Sequence, residues 1–67
     1  MINIYDCKNR LVCKADPDTG YVETKYQKQT MKTTLAEKTS LIIERETVRT
    51  EITRINDFEF SVKSNII

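Results

Sequence analysis

Short runs of alternating apolar and polar residues, separated by turn-forming residues, recur along this chain of 67 residues. Their period of two is the one that a half-buried β-strand requires. The runs cover residues 2–4, 11–15, 21–26, 41–55 and 58–62. The pattern predicts an all-β fold, a small antiparallel meander of about five to seven short strands that curls into a barrel or a two-layer sheet.

The length limits the core that this chain can build. We expect residues 1–67 to form a single small β domain, and a domain of about 60 residues buries only about 60% of the surface of its unfolded chain. Apolar residues make up 39% of the chain and Trp is absent, so the core depends on Ile, Val, Leu and two Phe. Small folds are often completed by disulfides, metals or oligomerisation. We therefore expect a homo-oligomer.

The charge balance disfavours a general binder of polyanions. Eleven Lys and Arg face ten Asp and Glu, which gives a formal net charge of +1. Proteins that bind nucleic acid mainly through its phosphates carry a clear excess of positive charge.

The two cysteines predict neither a disulfide nor a metal site. A hairpin of residues 2–7 and 10–15 would place Cys13 opposite Ile4 and Cys7 opposite Arg10, so the two sulfurs would lie at different levels. The chain has no His, and a four-ligand zinc site needs more ligands than these two thiols. We expect two free thiols, with Cys13 half-buried, no metal and no cofactor.

The beginning of the chain, from Met1 to Asp6, lacks the basic and apolar regions of a secretion signal. No apolar run approaches the length that crosses a membrane. We therefore expect a complete, cytoplasmic protein with no membrane association.

Turn residues divide the first half of the chain. Asn9 can adopt the left-handed conformation of a tight hairpin turn, and the segment from Pro17 to Gly20 predicts a second turn. A strand over 21–27 would follow, with Val22, Thr24 and Tyr26 on one side. Residues 28–40 would also suit a mobile connection, but we predict a strand near 31–36.

Residues 41–55 fit two structures. A helix capped by Ser40 would align apolar residues at helical spacing, whereas eight β-branched residues among these fifteen favour strands. We prefer a hairpin that turns near Glu46 and Thr47, with Leu41 beside Ile52 and Glu44 beside Arg49.

The last strand is predicted to follow a three-residue loop at residues 55–57. This loop would bring Phe60 opposite Ile52, and Phe58, Phe60 and Val62 would then belong to the core. The two final isoleucines, Ile66 and Ile67, form a candidate association edge.

No set of residues predicts catalysis. Without His, the Cys thiols have only Lys or Arg neighbours to activate them, and the close carboxylates Asp16 and Asp18 suit a turn around Pro17. The sequence from Asp16 to Gly20 also lacks the later Glu of a calcium loop, because residue 26 is Tyr. We expect a protein that is not an enzyme.

Cationic and aromatic residues are interleaved in the first half of the chain, a combination with which small β-proteins bind single-stranded nucleic acid. Lysines on strands also keep a small sheet soluble and protect its edges. The candidate binding surface comprises Lys8, Arg10, Lys14, Tyr21, Lys25, Tyr26, Lys28 and Lys32.

One segment has a family resemblance. Tyr5-Asp6, Arg10-Leu11-Val12, the turn from Asp16 to Gly20, and Tyr26 together resemble a single YD-type repeat of the large β-shell proteins that encapsulate toxins. The resemblance covers about a third of the chain, and those proteins work through many stacked repeats. It implies hairpin structure, and no function is carried over from it.

These observations favour stoichiometric action over catalysis. The leading hypothesis is a protein that binds a protein partner as an inhibitor or accessory factor, with a phage or another mobile element as the most concrete origin. A nucleic-acid-binding β-barrel and a self-assembling structural subunit are the alternatives.

Overall fold

A computed structural model describes residues 1–26 and 28–67, and over this part of the chain it contains seven antiparallel strands in two sheets and no helix. The four-stranded sheet has the order β1-β2-β3-β4, and the three-stranded sheet has the order β5-β6-β7. The strands are β1 (Ile2–Tyr5), β2 (Leu11–Asp16), β3 (Tyr21–Tyr26), β4 (Gln29–Thr34), β5 (Ser40–Arg45), β6 (Val48–Arg54) and β7 (Phe60–Ile66). The predicted all-β meander is confirmed in its two-layer form, and the described strands do not close into a barrel.

The first hairpin has the predicted pairing of Ile4 with Cys13. Beyond this pair the register shifts, because Tyr5 pairs with Leu11 and leaves Val12 as the extra residue of a β-bulge. The bulge allows the consecutive residues Val12 and Cys13 both to be buried. The chain reverses through Asn9, which adopts the predicted left-handed conformation with φ of 60°.

Cys7 does not lie opposite Arg10, as predicted, because β1 ends at Tyr5 and Cys7 belongs to the turn. Both thiols are free; Cys7 is exposed, whereas Cys13 is buried more completely than the predicted half-buried state.

The second turn contains Gly20, whose φ of +81° favours glycine. Its N–H donates to the carbonyl of Asp16 (2.8 Å), and its own carbonyl accepts from the N–H of Leu35 (2.8 Å). The strand predicted near 31–36 is confirmed as β4, although it begins two residues earlier. The predicted end of the preceding strand at Gln27 lies outside the described residues.

Residues 41–55 form the predicted hairpin. Leu41 pairs with Ile52 and Glu44 pairs with Arg49, with Glu46 and Thr47 as the two-residue loop. The β-branched residues outweigh the helical spacing because they pack well on a pleated surface.

The register predicted for the last strand is wrong by two residues. Phe60 pairs with Arg54 and Val62 pairs with Ile52, because the loop before β7 spans residues 55–59. A shift of two keeps side chains on the same face, so Phe60 still packs against the core. Phe58, in contrast, lies in the loop and is 79% exposed, and Val62 at the sheet edge is 41% exposed.

The core lies between the two sheets. Its buried members are Ile4, Val12, Cys13, Ala15, Val22, Leu35 and Ile52, and Leu41, Ile43 and Phe60 pack against them.

Two arginines of the smaller sheet tie it to the larger one. Arg45 donates to the carbonyls of Val12 (3.2 Å) and Lys25 (3.3 Å). Both residues lie just beyond the end of the pairing between β2 and β3. Arg54 donates to the carbonyls of Leu35 (3.0 Å) and Pro17 (3.1 Å). Because each guanidinium supplies several donors in a fixed plane, it satisfies carbonyls that the strand ladders leave unpaired.

The described residues include no helical segment that could span a membrane.

Candidate functional site

Four residues of the predicted binding surface lie on the outer face of the four-stranded sheet. Lys14 pairs with Glu23, which in turn pairs with Lys32, and Lys25 lies on the same face two residues beyond Glu23. Tyr21 lies on this face too. We call Lys14, Tyr21, Lys25 and Lys32 the cationic face.

An acidic side chain interrupts the cationic face. Glu23 lies between Lys14 and Lys32 on the neighbouring strands, and its Oε2 accepts a hydrogen bond from the hydroxyl of Tyr21 (3.0 Å). Burial and the hydrogen bond to Glu23 raise the pKa of Tyr21. The Tyr21 hydroxyl is therefore already occupied, and the positive potential of the three lysines is reduced.

The other predicted residues do not join this face. The guanidinium of Arg10 contacts Asp6 (3.1 Å) and Glu46 (3.3 Å), which raise the pKa of Arg10 and offset its charge. Lys8 lies in the first turn and Lys28 in the turn before β4. Tyr26 lies on the other, inner face of the sheet, because it continues the alternation of Val22 and Thr24 along β3. The Arg45 guanidinium lies 4.7 Å from the centre of the Tyr26 ring.

The loop at residues 55–59, which we call the Phe58 loop, presents the most exposed large hydrophobic side chain of the described residues. Phe58 is 79% exposed and Ile55 is 44% exposed. Asn56 fixes the loop, because its Oδ1 accepts from the N–H groups of Phe58 (2.7 Å) and Glu59 (3.1 Å). The N–H of Ile55 donates to the carbonyl of Glu59 (3.1 Å), which closes the loop.

Two acidic residues flank Phe58 along the chain. Asp57 and Glu59 are its chain neighbours, and a hydrogen bond between Glu37 and Asp57, together with their mutual repulsion, raises the pKa of Glu37. Arg54 contacts Asp57 (3.5 Å) and anchors the loop to the core. The Phe58 loop thus combines an exposed ring with acidic chain neighbours on a fixed backbone.

Sequence reasoning missed this site because Phe58 continues the alternation of Phe60 and Val62. Asn56 was the available signal, since Asn at the start of a turn accepts bonds from the N–H groups two and three residues later. Such a turn holds residue 58 outside the strand.

The two sheets also leave an open groove between β4 and β5, with a volume of about 310 Å³. Its lining includes Tyr26, Met31, Ile42 and Ile43. Met31 is 50% exposed and Ile42 is 45% exposed, so this edge of the sandwich is incompletely covered.

The candidate association edge lies at the end of β7. Ile66 is its last residue, and the N–H of Ile67 donates to the carbonyl of Thr47 (2.7 Å). Both side chains are exposed.

Among the described residues, no group of three or more Cys, Asp or Glu side chains is arranged to hold a metal ion. No protein-family model matches the chain, and no curated protein or solved structure matches it significantly.

Proposed function

We propose that this protein acts without catalysis, by binding a protein partner through the Phe58 loop as an inhibitor or accessory factor. The observation that carries the proposal is the exposure of Phe58 on a backbone that Asn56 already fixes. Aromatic anchors supply much of the binding energy at protein interfaces, and an anchor that is ordered beforehand loses less conformational entropy on binding.

The surroundings of Phe58 define the chemistry of the partner. A phenyl ring needs an apolar pocket, and the carboxylates of Asp57 and Glu59 favour basic residues at its edge. We therefore propose a partner with an apolar pocket rimmed by Lys or Arg.

Affinity capture from the cells that naturally express this chain tests the proposal. Tagged wild-type protein, Phe58→Ala and Tyr5→Ala would be compared after nuclease treatment, with bound proteins identified by mass spectrometry. Tyr5 is the matched control, because it is an exposed aromatic residue on a different element. We expect one partner to be retained by the wild type and by Tyr5→Ala and lost with Phe58→Ala, whose truncation costs about 2 kcal/mol or more at an anchor position.

Loss of the partner in both variants, or its retention in both, would refute the role of Phe58. Purified partner and wild-type protein would then be titrated by calorimetry to obtain the stoichiometry, for which we expect saturation without turnover of either protein.

Nucleic-acid binding is the second candidate function, and the three lysines of the cationic face favour it. It predicts an affinity that falls steeply with salt and that Lys25→Glu with Lys32→Glu abolishes. Since Glu23 lies among these lysines and the Tyr21 ring carries an occupied hydroxyl, we rank this function below protein binding. Recovery of nuclease-sensitive material alone in the capture experiment would reverse that order.

A further inference from the structure

The four edge strands of the two sheets differ in how well they resist pairing with another strand. Proteins protect sheet edges with short strands, bulges, Pro or charged side chains, most often Lys. The edge strand β1 has four residues and adjoins a bulge, β4 carries Lys32, and β7 carries Lys63. The edge strand β5 has the sequence SLIIER, with no Lys or Pro and with its charged residues confined to the last two positions, and its six residues pair with β6 without interruption.

The backbone of β5 leaves one regular set of hydrogen-bonding groups at the open edge. The loop of Glu46 and Thr47 closes on the pair of Arg45 and Val48, and the closing pair of such a hairpin exchanges both backbone hydrogen bonds. Alternation along the strand then directs the backbone groups of residues 41, 43 and 45 to β6. The N–H and C=O groups of Ser40, Ile42 and Glu44 point away from β6.

These three residues are symmetric about Ile42. When β5 meets a second copy of itself antiparallel with Ile42 opposite Ile42, Ser40 faces Glu44, and every outward-facing backbone group of both strands finds a partner. Shifting the register by two residues in either direction leaves some of these groups without a partner. The register thus follows from the positions of the open backbone groups.

Side chains agree with this register. On the inner face it pairs Leu41 with Ile43 of the second copy, and on the outer face it stacks the two Ile42 side chains. Glu44 faces the uncharged Ser40, whereas a register centred on Glu44 would oppose two carboxylates. Leu41 of the second copy would also lie beside Ile43, at the groove where Met31 is half exposed.

We propose that this protein forms a two-fold symmetric dimer in which β5 pairs with β5 of a second copy, centred on Ile42. The two three-stranded sheets then become one six-stranded sheet. The second copy is the occupant of this edge because the strand is complementary to itself in backbone pairing and in aliphatic contacts, and because this register opposes no like charges. This association is independent of the Phe58 loop, which lies on the connection between the other two strands of the sheet.

Sedimentation velocity of purified protein tests the dimer. We expect the wild type to sediment as a dimer at submillimolar concentration and to dissociate on dilution. Ile42→Lys places a charge on the axis and should shift the protein to the monomer mass at all concentrations, whereas Ile66→Lys, at the end of β7, should leave the dimer intact. Circular dichroism would establish that both variants fold, which is expected because both side chains are exposed.

A disulfide tests the register directly. In a Cys7→Ser background, Ile42→Cys places two thiols on the axis at the separation of a paired position, about 5.5 Å between Cα atoms, which a disulfide spans. The matched variant Glu44→Cys separates the thiols by four residues along the strands, about 13 Å. We expect oxidation to link Ile42→Cys into a covalent dimer and to leave Glu44→Cys unlinked.

A wild type that remains monomeric at submillimolar concentration would overturn the proposal. So would a dimer that Ile42→Lys leaves intact and Ile66→Lys dissociates, which would place the association at β7. Preferential linkage of Glu44→Cys would exclude the register.

Discussion

The side chain of Arg54 packs against the backbone of Gly20, so that a Cβ atom built on residue 20 would lie 2.8 Å from Nη1 of Arg54. The same Cβ would also overlap the carbonyl oxygen of Leu35. Because that oxygen accepts a hydrogen bond from Arg54 (3.0 Å), these three residues join the turn of the larger sheet to the end of β6. These contacts hold the two sheets together at the end of the sandwich that carries the Phe58 loop.

Gly20→Ala should therefore lower the free energy of unfolding by at least about 2 kcal/mol, since it combines a left-handed backbone with a collision that backbone atoms must relieve. Urea titration followed by circular dichroism measures the change. Asp18→Ala is the control in the same turn, because the Asp18 side chain is exposed and its carbonyl still accepts from Arg54. Equal stability of Gly20→Ala and the wild type would contradict the close packing at residue 20.

Arg54→Met should lower the free energy of unfolding by about 2–4 kcal/mol, because the carbonyls that Arg54 satisfies lose their donor at a buried position. Arg49→Met in the same strand removes an exposed guanidinium and should change stability by no more than about 0.5 kcal/mol. Urea titration of both variants provides the comparison. A similar effect of the two substitutions would show that Arg54 contributes no more than a surface charge.

Local patterns were sufficient to predict much of this fold. The alternation in residues 41–55 and the two-residue turn after Arg45 determined the hairpin register, because the turn sets the closing pair and every further pair follows from it along the two strands. The register of β7 could be predicted only with the correct length of the loop before it. This loop is longer than predicted because the hydrogen bonds of Asn56 hold Phe58 outside the strand. Local alternation carries no information about such a side-chain cap.

The candidate site was harder to predict because it depends on pairing between strands. The sequence shows Lys14 and Lys32 as separate cations, and only the registers of β2, β3 and β4 place Glu23 between them. The roles of Arg45 and Arg54 are likewise absent from the sequence pattern, since their partners are distant in sequence, on strands of the other sheet for Arg45 and in its connecting segments for Arg54. A contact between an arginine side chain and a carbonyl that is distant in sequence leaves no periodic pattern in the sequence.

The two thiols should differ strongly in reactivity. Burial raises the pKa of Cys13 to about 11, whereas Cys7 is exposed. Because the thiolate is the reactive form, we expect an aromatic disulfide reagent at about pH 8 to modify one thiol of the wild type rapidly and the other only as the protein opens. In Cys7→Ser the remaining reaction should be slow in water and rapid in urea that unfolds the chain.

The same burial predicts a loss of stability in alkali. The folded state holds the proton of Cys13 more tightly than the unfolded state, so its contribution is complete below the unfolded value near pH 8.5 and is lost as the pH rises towards about 11. Rapid modification of Cys13 in water would show that this thiol is accessible in the folded protein, and it would contradict the burial on which both predictions for Cys13 depend.

Asp6 predicts a loss of stability in acid. Its carboxylate accepts from the N–H groups of Arg10 (3.0 Å) and Lys8 (2.9 Å) and contacts the Arg10 guanidinium (3.1 Å). The hydrogen bond from the Arg10 N–H is the main cause that lowers the pKa of Asp6. The other two contacts lower this pKa further, whereas burial raises it. A lowered folded pKa means that the stabilisation is present above the unfolded value, about 3.9, and is lost as the pH falls through the folded value.

Asp6→Asn keeps one oxygen that can accept from the turn but removes the charge, so this variant should be less stable than the wild type near neutral pH and should lose less stability on acidification. Urea titrations at about pH 6 and about pH 3, at constant ionic strength, measure both differences. Asp18→Asn is the control for removal of an exposed carboxylate and should follow the wild type. If Asp6→Asn loses as much stability as the wild type between the two pH values, the acid sensitivity arises from other carboxylates and the first turn is held by its backbone bonds alone.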